Sequence, residues 1–406
     1  MYNGNNNLLG GFVMKRMHKI IALLMVLVLA LGALAGCGSS NEKVIKIGIF
    51  EPGTGENAGG GKQEVLGMRY ANSVVPEVTV GGEVYKIELV EVDNQSDASK
   101  APSAAQQLVS SKVSVVLGTY GSACAIAAGP LFAENKIPAI GASCTNPQVT
   151  AENDFYFRVC FLDPFQGTVM ANLALEQGCK KVGVLTQAGD DYSVGLGNYF
   201  TEAFKNAGGT VVPASFQTGE TDFSAIVTNF KDCDAVFAPS SIETGPLIIK
   251  QLRAVNKDCK ILASDTWENG KIIENAGDAA TEVYFSTFFD ENDDSNPLSK
   301  TFVEGFKKWL NADAANLNNN GGDDTVAAVS ALGYDAYMAA IEAIKAADST
   351  DGTAIRDALK GVEMDGVTGA LSFDEKGDAN KDMAYIKTID VANGTFKFLK
   401  TQTVAE

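Results

Sequence analysis

The sequence predicts an α/β fold of two Rossmann-like, doubly wound lobes. Three observations lead there. Apolar, β-rich runs alternate with helical stretches along most of the chain. The alternation runs through one series and restarts near residue 165. A length of 406 residues, 46% of them apolar, supplies material for two hydrophobic cores. Repeated β-α units imply parallel sheets covered by helices on both faces.

The first series opens with Val-Ile-Lys-Ile-Gly-Ile-Phe at 44–50, a β-branched run read as a strand. A helix is expected at 62–74, a strand at 86–92, a helix at 100–110 and a strand at 113–117. Helix 123–134, a short strand at 138–141 and a strand at 155–161 complete it. The second series reads as helix 165–177, strand 181–186, helix 195–207 and strand 210–215. Helix 224–230, strand 235–239, helix 245–255 and strand 260–264 follow. Residues 325–347 form a long, small-residue helix, and Asn393-Gly394 signals a hairpin in the tail. Ligands of such sheets sit at the carboxyl ends of the strands.

Composition excludes several functions. With 32 Lys+Arg against 50 Asp+Glu, the net charge is −18, which disfavours a nucleic-acid partner. His18 is the single histidine, so Ser-His-Asp and Cys-His catalysis and imidazole metal sites have no histidine in the body of the chain. Gly53 to Lys62 is not a phosphate loop: Glu56 stands where Gly is required and Gln63 follows Lys62 where Ser or Thr is needed. That stretch reads as a flexible loop at a cleft rim. Asp190-Asp191 reads as a solvated pair, and the acidic loops at 290–296 and 311–324 lack calcium-binding spacing. No metal, cofactor or enzymatic activity is expected.

Residues 1–36 read as an export signal. Lys15, Arg16 and Lys19 precede a 15-residue apolar run at 20–34, the length of a signal core and short for a spanning helix. The run ends in Leu34-Ala35-Gly36-Cys37, which resembles a bacterial lipobox. The expectation is cleavage before Cys37, acylation of that cysteine and a tether over 37–43. An uncleaved anchor helix, or an ordinary signal with an incidental cysteine, is the alternative. Cleavage takes the charge from −18 to −21.

From Val44 to the C-terminal hairpin the chain resembles the bacterial binding proteins for leucine, isoleucine and valine that serve ABC importers. Three stretches carry the resemblance: Gly118-Thr119-Tyr120-Gly121-Ser122-Ala123, the run from Ile137 to Pro147, and the run from Gly369 to Asp378. Thr221-Asp222-Phe223-Ser224 and the turn at Tyr192-Ser193 support it. The resemblance implies a type I periplasmic binding protein fold, with three hinge crossovers near 162–165, 287–291 and 365–369. The lobes would be 44–163 plus 289–367, and 164–288 plus 368–406. It implies an amino-acid ligand, importer permease subunits as partners, and a monomer anchored outside the cytoplasmic membrane through its lipid.

A bound amino acid is a zwitterion whose two charges must both be paired. Ser122 opens a helix after a strand, so its hydroxyl and the free amides there suit a carboxylate. Thr145 follows the next strand and adds a hydroxyl. Asp265 matches the family position that holds the α-amino group, and Tyr192 matches its cleft-closing tyrosine. Cys144 lies near this pocket; Tyr120, Ser241 and Trp267 are further candidates for the ligand's side chain. Gly59-Gly60-Gly61 departs from a family position that is often aromatic. A binder of short amides on the same scaffold, and a secreted carboxylate-based hydrolase, are the rival readings. Cys233 and Cys259 each precede a strand and are read either as a disulfide or as free thiols.

Overall fold

The computed structural model describes residues 43–404. The signal segment, Cys37 and nearly all of the tether lie outside them. Among the described residues no helix is long and apolar enough to cross a membrane.

The first sheet has six strands: β1 (Val44–Glu51), β2 (Glu77–Val80), β3 (Glu83–Asp93), β4 (Val115–Leu117), β5 (Ala139–Gly141) and β6 (Tyr156–Arg158). Their order is β2-β3-β1-β4-β5-β6, parallel except for β2. The second sheet holds β7 (Lys181–Gln187), β8 (Thr210–Phe216), β9 (Ala235–Phe237), β10 (Lys260–Ala263) and β11 (Val283–Thr287). These five are parallel in the order β11-β10-β9-β7-β8. In each sheet the winding reverses beside the first strand of its series, at β1/β4 and β7/β9. Two crevices of the kind that bind ligands are thereby created.

The inner strands are buried on both faces, which is why they read as continuous apolar runs. Ile45, Ile47 and Ile49 of β1 face the core under the helices Ala58–Val74 and Ala328–Ala347. Phe50 faces the opposite core, with Leu108 and Phe132. Helix Pro297–Asn311 was not foreseen, although Asn296 caps it, Pro297 opens it and Phe302, Phe306 and Leu310 give its buried stripe at a spacing of four. The antiparallel pair β12 (Glu363–Gly366) and β13 (Gly369–Ser372) was also missed, as was β11. A hairpin of β14 (Met383–Asp390) and β15 (Thr395–Thr403) extends the second sheet to seven strands, with Asn393 and Gly394 at its turn.

The chain passes between lobes at three places. Two are pinned together where the Phe161 and Phe288 rings meet at a tilt of 34° with centroids 4.2 Å apart. The third falls after Asp378 rather than at 365–369. Phe373 packs edge-on against Phe157 at 5.3 Å. The Asp378 carboxylate accepts a 2.6 Å bond from Arg158 Nε in the first lobe. Residues 368–378, expected in the second lobe, thus pack with the first.

Arg158 is fully buried and donates from all three guanidinium nitrogens. Nη1 donates to the carbonyls of Cys144 at 2.8 Å and Asn146 at 2.6 Å, and Nη2 donates to Thr150 Oγ1 at 2.9 Å. It ties the loop after β5 to the Gly369–Asp378 stretch, which are two of the three segments that carry the family resemblance. Of the two readings of Cys233 and Cys259 the structure has the free thiols: both are buried and unpaired, as are the other four described cysteines. The register sets Lys260 opposite Ala235, which puts Cys259 level with Asp234 and one residue out of step with Cys233.

Asp378→Asn removes the charge partner of a buried guanidinium. It should lower unfolding stability by about 3–5 kcal/mol, measured by denaturant titration. A loss below about 1 kcal/mol would show that the carbonyls alone hold Arg158.

Candidate functional site

The carboxyl ends of β4, β5, β7 and β10 converge on a small cavity between the lobes. Tyr120, Gly121, Ser122 and Ser143 line it from the first lobe, and Asp190, Tyr192, Asp265 and Thr266 from the second. Asn57, just ahead of helix Ala58–Val74, completes the lining. Among the described residues no Lys, Arg or His reaches this lining.

Ser122 is the first residue of helix Ser122–Glu134, with extended Gly121 as its cap. Its hydroxyl accepts from Asn146 N at 3.1 Å, and that leaves its proton free to donate. The unpaired amides of this helix start add the positive end of a helix dipole. This wall suits an anion.

Asp265 forms the opposite wall. It lies two residues past β10 and is 3% exposed. Gln166 Nε2 at 2.7 Å and Tyr192 OH at 2.8 Å both donate to its Oδ1, so Oδ2 keeps its full acceptor capacity. Burial raises its pKa to about 6, against the pull of those two donors. Asp190 caps helix Asp191–Asn206 through a 2.8 Å bond from Ser193 N. Burial raises it to about 6 as well, so the expectation of a solvated pair at 190–191 holds only for exposed Asp191.

Thr145 is fully buried behind the cavity, with its hydroxyl turned to the Asp163 carboxyl. Its carbonyl accepts from Asp163 N at 3.0 Å. Asp163 stands at the first crossover, and burial raises its carboxyl to about 8. With Thr145, four candidates fall outside the cavity lining. Cys144 points into the first-lobe core, where burial pushes its thiol up to about 12. Trp267 turns inward, its Nε1 donating to Ser240 O at 3.1 Å. Ser241 shares a 2.9 Å hydroxyl contact with Thr244 and shapes the turn into helix Gly245–Val255. Asp190, Ser143, Asn57 and Gln166 were missed. The Asp190-x-x-Ser193 spacing is a helix-cap signal that marks Asp190 in the sequence.

The three glycines are not a rim loop; they lie in the first turn of helix Ala58–Val74. A Cβ on Gly60 would sit 2.3 Å from the Tyr120 ring. The aromatic surface that a side chain at position 60 would supply comes instead from Tyr120.

Hydrogen bonds close the cleft across the lobes. Tyr120 OH donates to Thr266 O at 3.3 Å and Asn269 Nδ2 to Gln63 Oε1 at 3.0 Å. Gln187 Nε2 donates to Glu56 Oε1 at 3.1 Å, and Asn146 Nδ2 to Asp191 O at 2.8 Å. Glu268 accepts from Ala328 N at 3.3 Å and pairs with buried Lys387 at 2.5 Å. Among the described residues no group of three or more His, Cys, Asp or Glu side chains is arranged to hold a metal ion.

A family model described as "Periplasmic binding protein" matches residues 44–394. The chain belongs to the periplasmic binding protein family. It is 34% identical to the leucine binding protein LivK of Thermotoga maritima, over 89% of this chain and 99% of that one, with a TM-score of 0.82. It is 29% identical to the branched-chain amino acid binding protein LivJ of Streptococcus pneumoniae, solved with isoleucine, over 89% and 99%, with a TM-score of 0.78. It is also 30% identical to Leu/Ile/Val-binding protein homolog 3 of Brucella melitensis, over 86% of this chain and 92% of that one. A Rhodopseudomonas palustris binding protein in complex with benzoate shares the fold at 20% identity.

Four buried carboxyls with raised pKa values set a pH dependence. Asp265 and Asp190 titrate near 6, Glu64 near 7 and Asp163 near 8. Their ordinary values are 3.8 to 4.5. Between those limits the folded state holds more protons than the unfolded chain, so stability falls as pH rises. The ligand-free protein should be more stable at pH 5 than at pH 8, with Asp265 alone contributing about 1.5 kcal/mol of the difference. Urea titrations across that range would show it. A rise in stability from pH 5 to 8 would mean that these carboxyls ionise freely.

Proposed function

We propose that the protein is an extracytoplasmic solute-binding protein that captures an amino acid in the interlobe cavity and delivers it to an ABC importer. The observation that carries this reading is the facing of opposite chemistries. The helix start at Ser122 offers donors to a carboxylate, and Asp265 offers an acceptor to an ammonium, each from a different lobe. An α-amino acid satisfies both walls at once. Its binding energy then holds the lobes together, and its release reopens them. Leucine, isoleucine and valine head the list because relatives named for them share the family. The chain has no enzymatic role in this account: the cavity walls bind and orient charge, and Asp265 is committed to its two donors.

Residues 1–36 act as the export signal and Cys37 as the lipid-bearing first residue, on the strength of the lipobox-like Leu34-Ala35-Gly36-Cys37. Two or more acyl chains suffice for stable anchoring. Cys37→Ser should release the protein from membranes or block its processing; unchanged retention at the mature size would refute the anchor.

The functional test is a thermal-shift panel of the protein with the standard amino acids, short amides and benzoate. At a hundred times its Kd an amino acid should stabilise the fold by about 2.7 kcal/mol. A shift from benzoate or amides, with none from any amino acid, would overturn the reading. Asp265→Asn should act with opposite signs on stability and affinity. It removes a buried charge, so the ligand-free protein becomes more stable at pH 8, while amino-acid binding weakens.

A further inference from the structure

Behind the cavity wall lie two carboxyls that do not line it. Glu51 ends β1, and Glu64 sits on helix Ala58–Val74; they are 2% and 0% exposed. They are within hydrogen-bond reach of each other. Glu51 Oε2 accepts from Tyr120 N at 2.8 Å and from Thr119 Oγ1 at 3.5 Å. Glu64 Oε1 accepts from Ser143 Oγ. That leaves Glu51 Oε1 and Glu64 Oε2, both buried and both without a donor. Two acceptor-only oxygens cannot share such a space unless a proton lies between them.

We propose that Glu51 and Glu64 form a carboxylic acid–carboxylate pair, with the proton on Glu51 Oε1 donated to Glu64 Oε2, and that they are positioning residues for the ligand loops. The proton belongs on Glu51 because Glu64 already has a second donor in Ser143, which favours its ionised form. Burial followed by the neighbouring Glu64 raises Glu51 well above its ordinary value, whereas Glu64 comes to about 7. The groups acting on the pair from neighbouring elements are the Cys144 thiol and the Asp265 carboxyl, and Tyr120 and Tyr156 face it as neutral phenols. None is a cation. Close packing at Gly118 fits the arrangement: its φ is +112°, and a Cβ there would meet Glu51 Oε1 at 2.4 Å.

The pair fixes what lines the cavity. Glu51 holds the backbone of Tyr120, two residues before Ser122, and Glu64 holds the Ser143 side chain, two residues before Thr145. Both loops therefore hang on one shared proton. Loss of that proton puts two anions face to face and drives the loops after β4 and β5 apart. The inference rests on the proposed binding role, and the test separates the two.

The test compares wild type with Glu51→Gln, whose amide supplies the Oε1–H donor permanently without titrating. In the ligand-free protein at neutral pH, infrared difference spectra of wild type minus Glu51→Gln should contain the carbonyl stretch of a protonated carboxylic acid. Its absence overturns the pair, whatever the ligand proves to be. L-leucine affinity is then measured by calorimetry from pH 6 to pH 9.5. Wild type should lose tenfold or more at the alkaline end, and Glu51→Gln should bind as tightly at neutral pH with a flatter profile. Equal alkaline losses in both proteins overturn the positioning role. Glu51→Leu, which keeps bulk but offers no donor or acceptor, should weaken binding at every pH; full affinity in that variant also overturns it. Failure of leucine to bind any of the three proteins would count against the proposed ligand and leave the infrared result to decide the pair.

Discussion

A buried carboxylate with no cation beside it is the constraint around which the cleft is organised. Asp265 lies in the closed interface between lobes, where an ionised group is costly unless paired. Gln166 and Tyr192 lower that cost through one oxygen and leave the other unspent. The protein thereby stores instability at the place where a positive group restores it. The same logic extends outward through Asp190, Asp163 and the Glu51–Glu64 pair. Such concentrations of shifted groups are typical of sites that act on charge.

The rest of the fold brings four strand ends together, two from each lobe. Each lobe reverses its winding at its first strand and so makes a crevice there. Facing the two crevices assembles one cavity from segments far apart in sequence. Arg158 is the rigid element of the first lobe, since its fork holds the β5 loop to the segment around Asp378. The bonds that span the cleft are of a different kind. They are single hydrogen bonds from Tyr120, Asn146, Asn269, Gln187 and Ala328 N, each worth about 0.5–1.5 kcal/mol between neutral groups and about 1.5–3 kcal/mol where an ionised Glu56 or Glu268 accepts. A strong internal frame joined by weak interlobe bonds is the energetic pattern that a hinge requires.

Much of this was legible in the sequence. The β-α repetition gave the doubly wound lobes because buried parallel strands read as apolar runs whatever their neighbours. Ser122, Tyr192 and Asp265 were legible because each closely follows a strand end. The limits are equally physical. Cys144 and Trp267 sit one or two residues from lining positions, and a change of one residue turns a side chain from cavity to core. Glu51 and Glu64 were invisible, because the meaning of either depends on the other and on Ser143, 79 residues away from Glu64. Residue spacing left Cys233 and Cys259 open between bridge and free thiols, because spacing alone does not fix strand register.

The central claim is that the Asp265 carboxylate pairs with the ligand's ammonium. The most direct measurement is a four-way calorimetric comparison. L-leucine and its deaminated analogue, 4-methylpentanoate, are each titrated into wild type and into Asp265→Asn. In wild type the loss of the ammonium should cost about 3 kcal/mol, on the order of a hundredfold in affinity. In Asp265→Asn, leucine should bind on the order of a hundredfold more weakly, and the difference between the two ligands should largely vanish. If 4-methylpentanoate binds wild type as tightly as leucine does, the carboxylate does not face an ammonium and the account is contradicted.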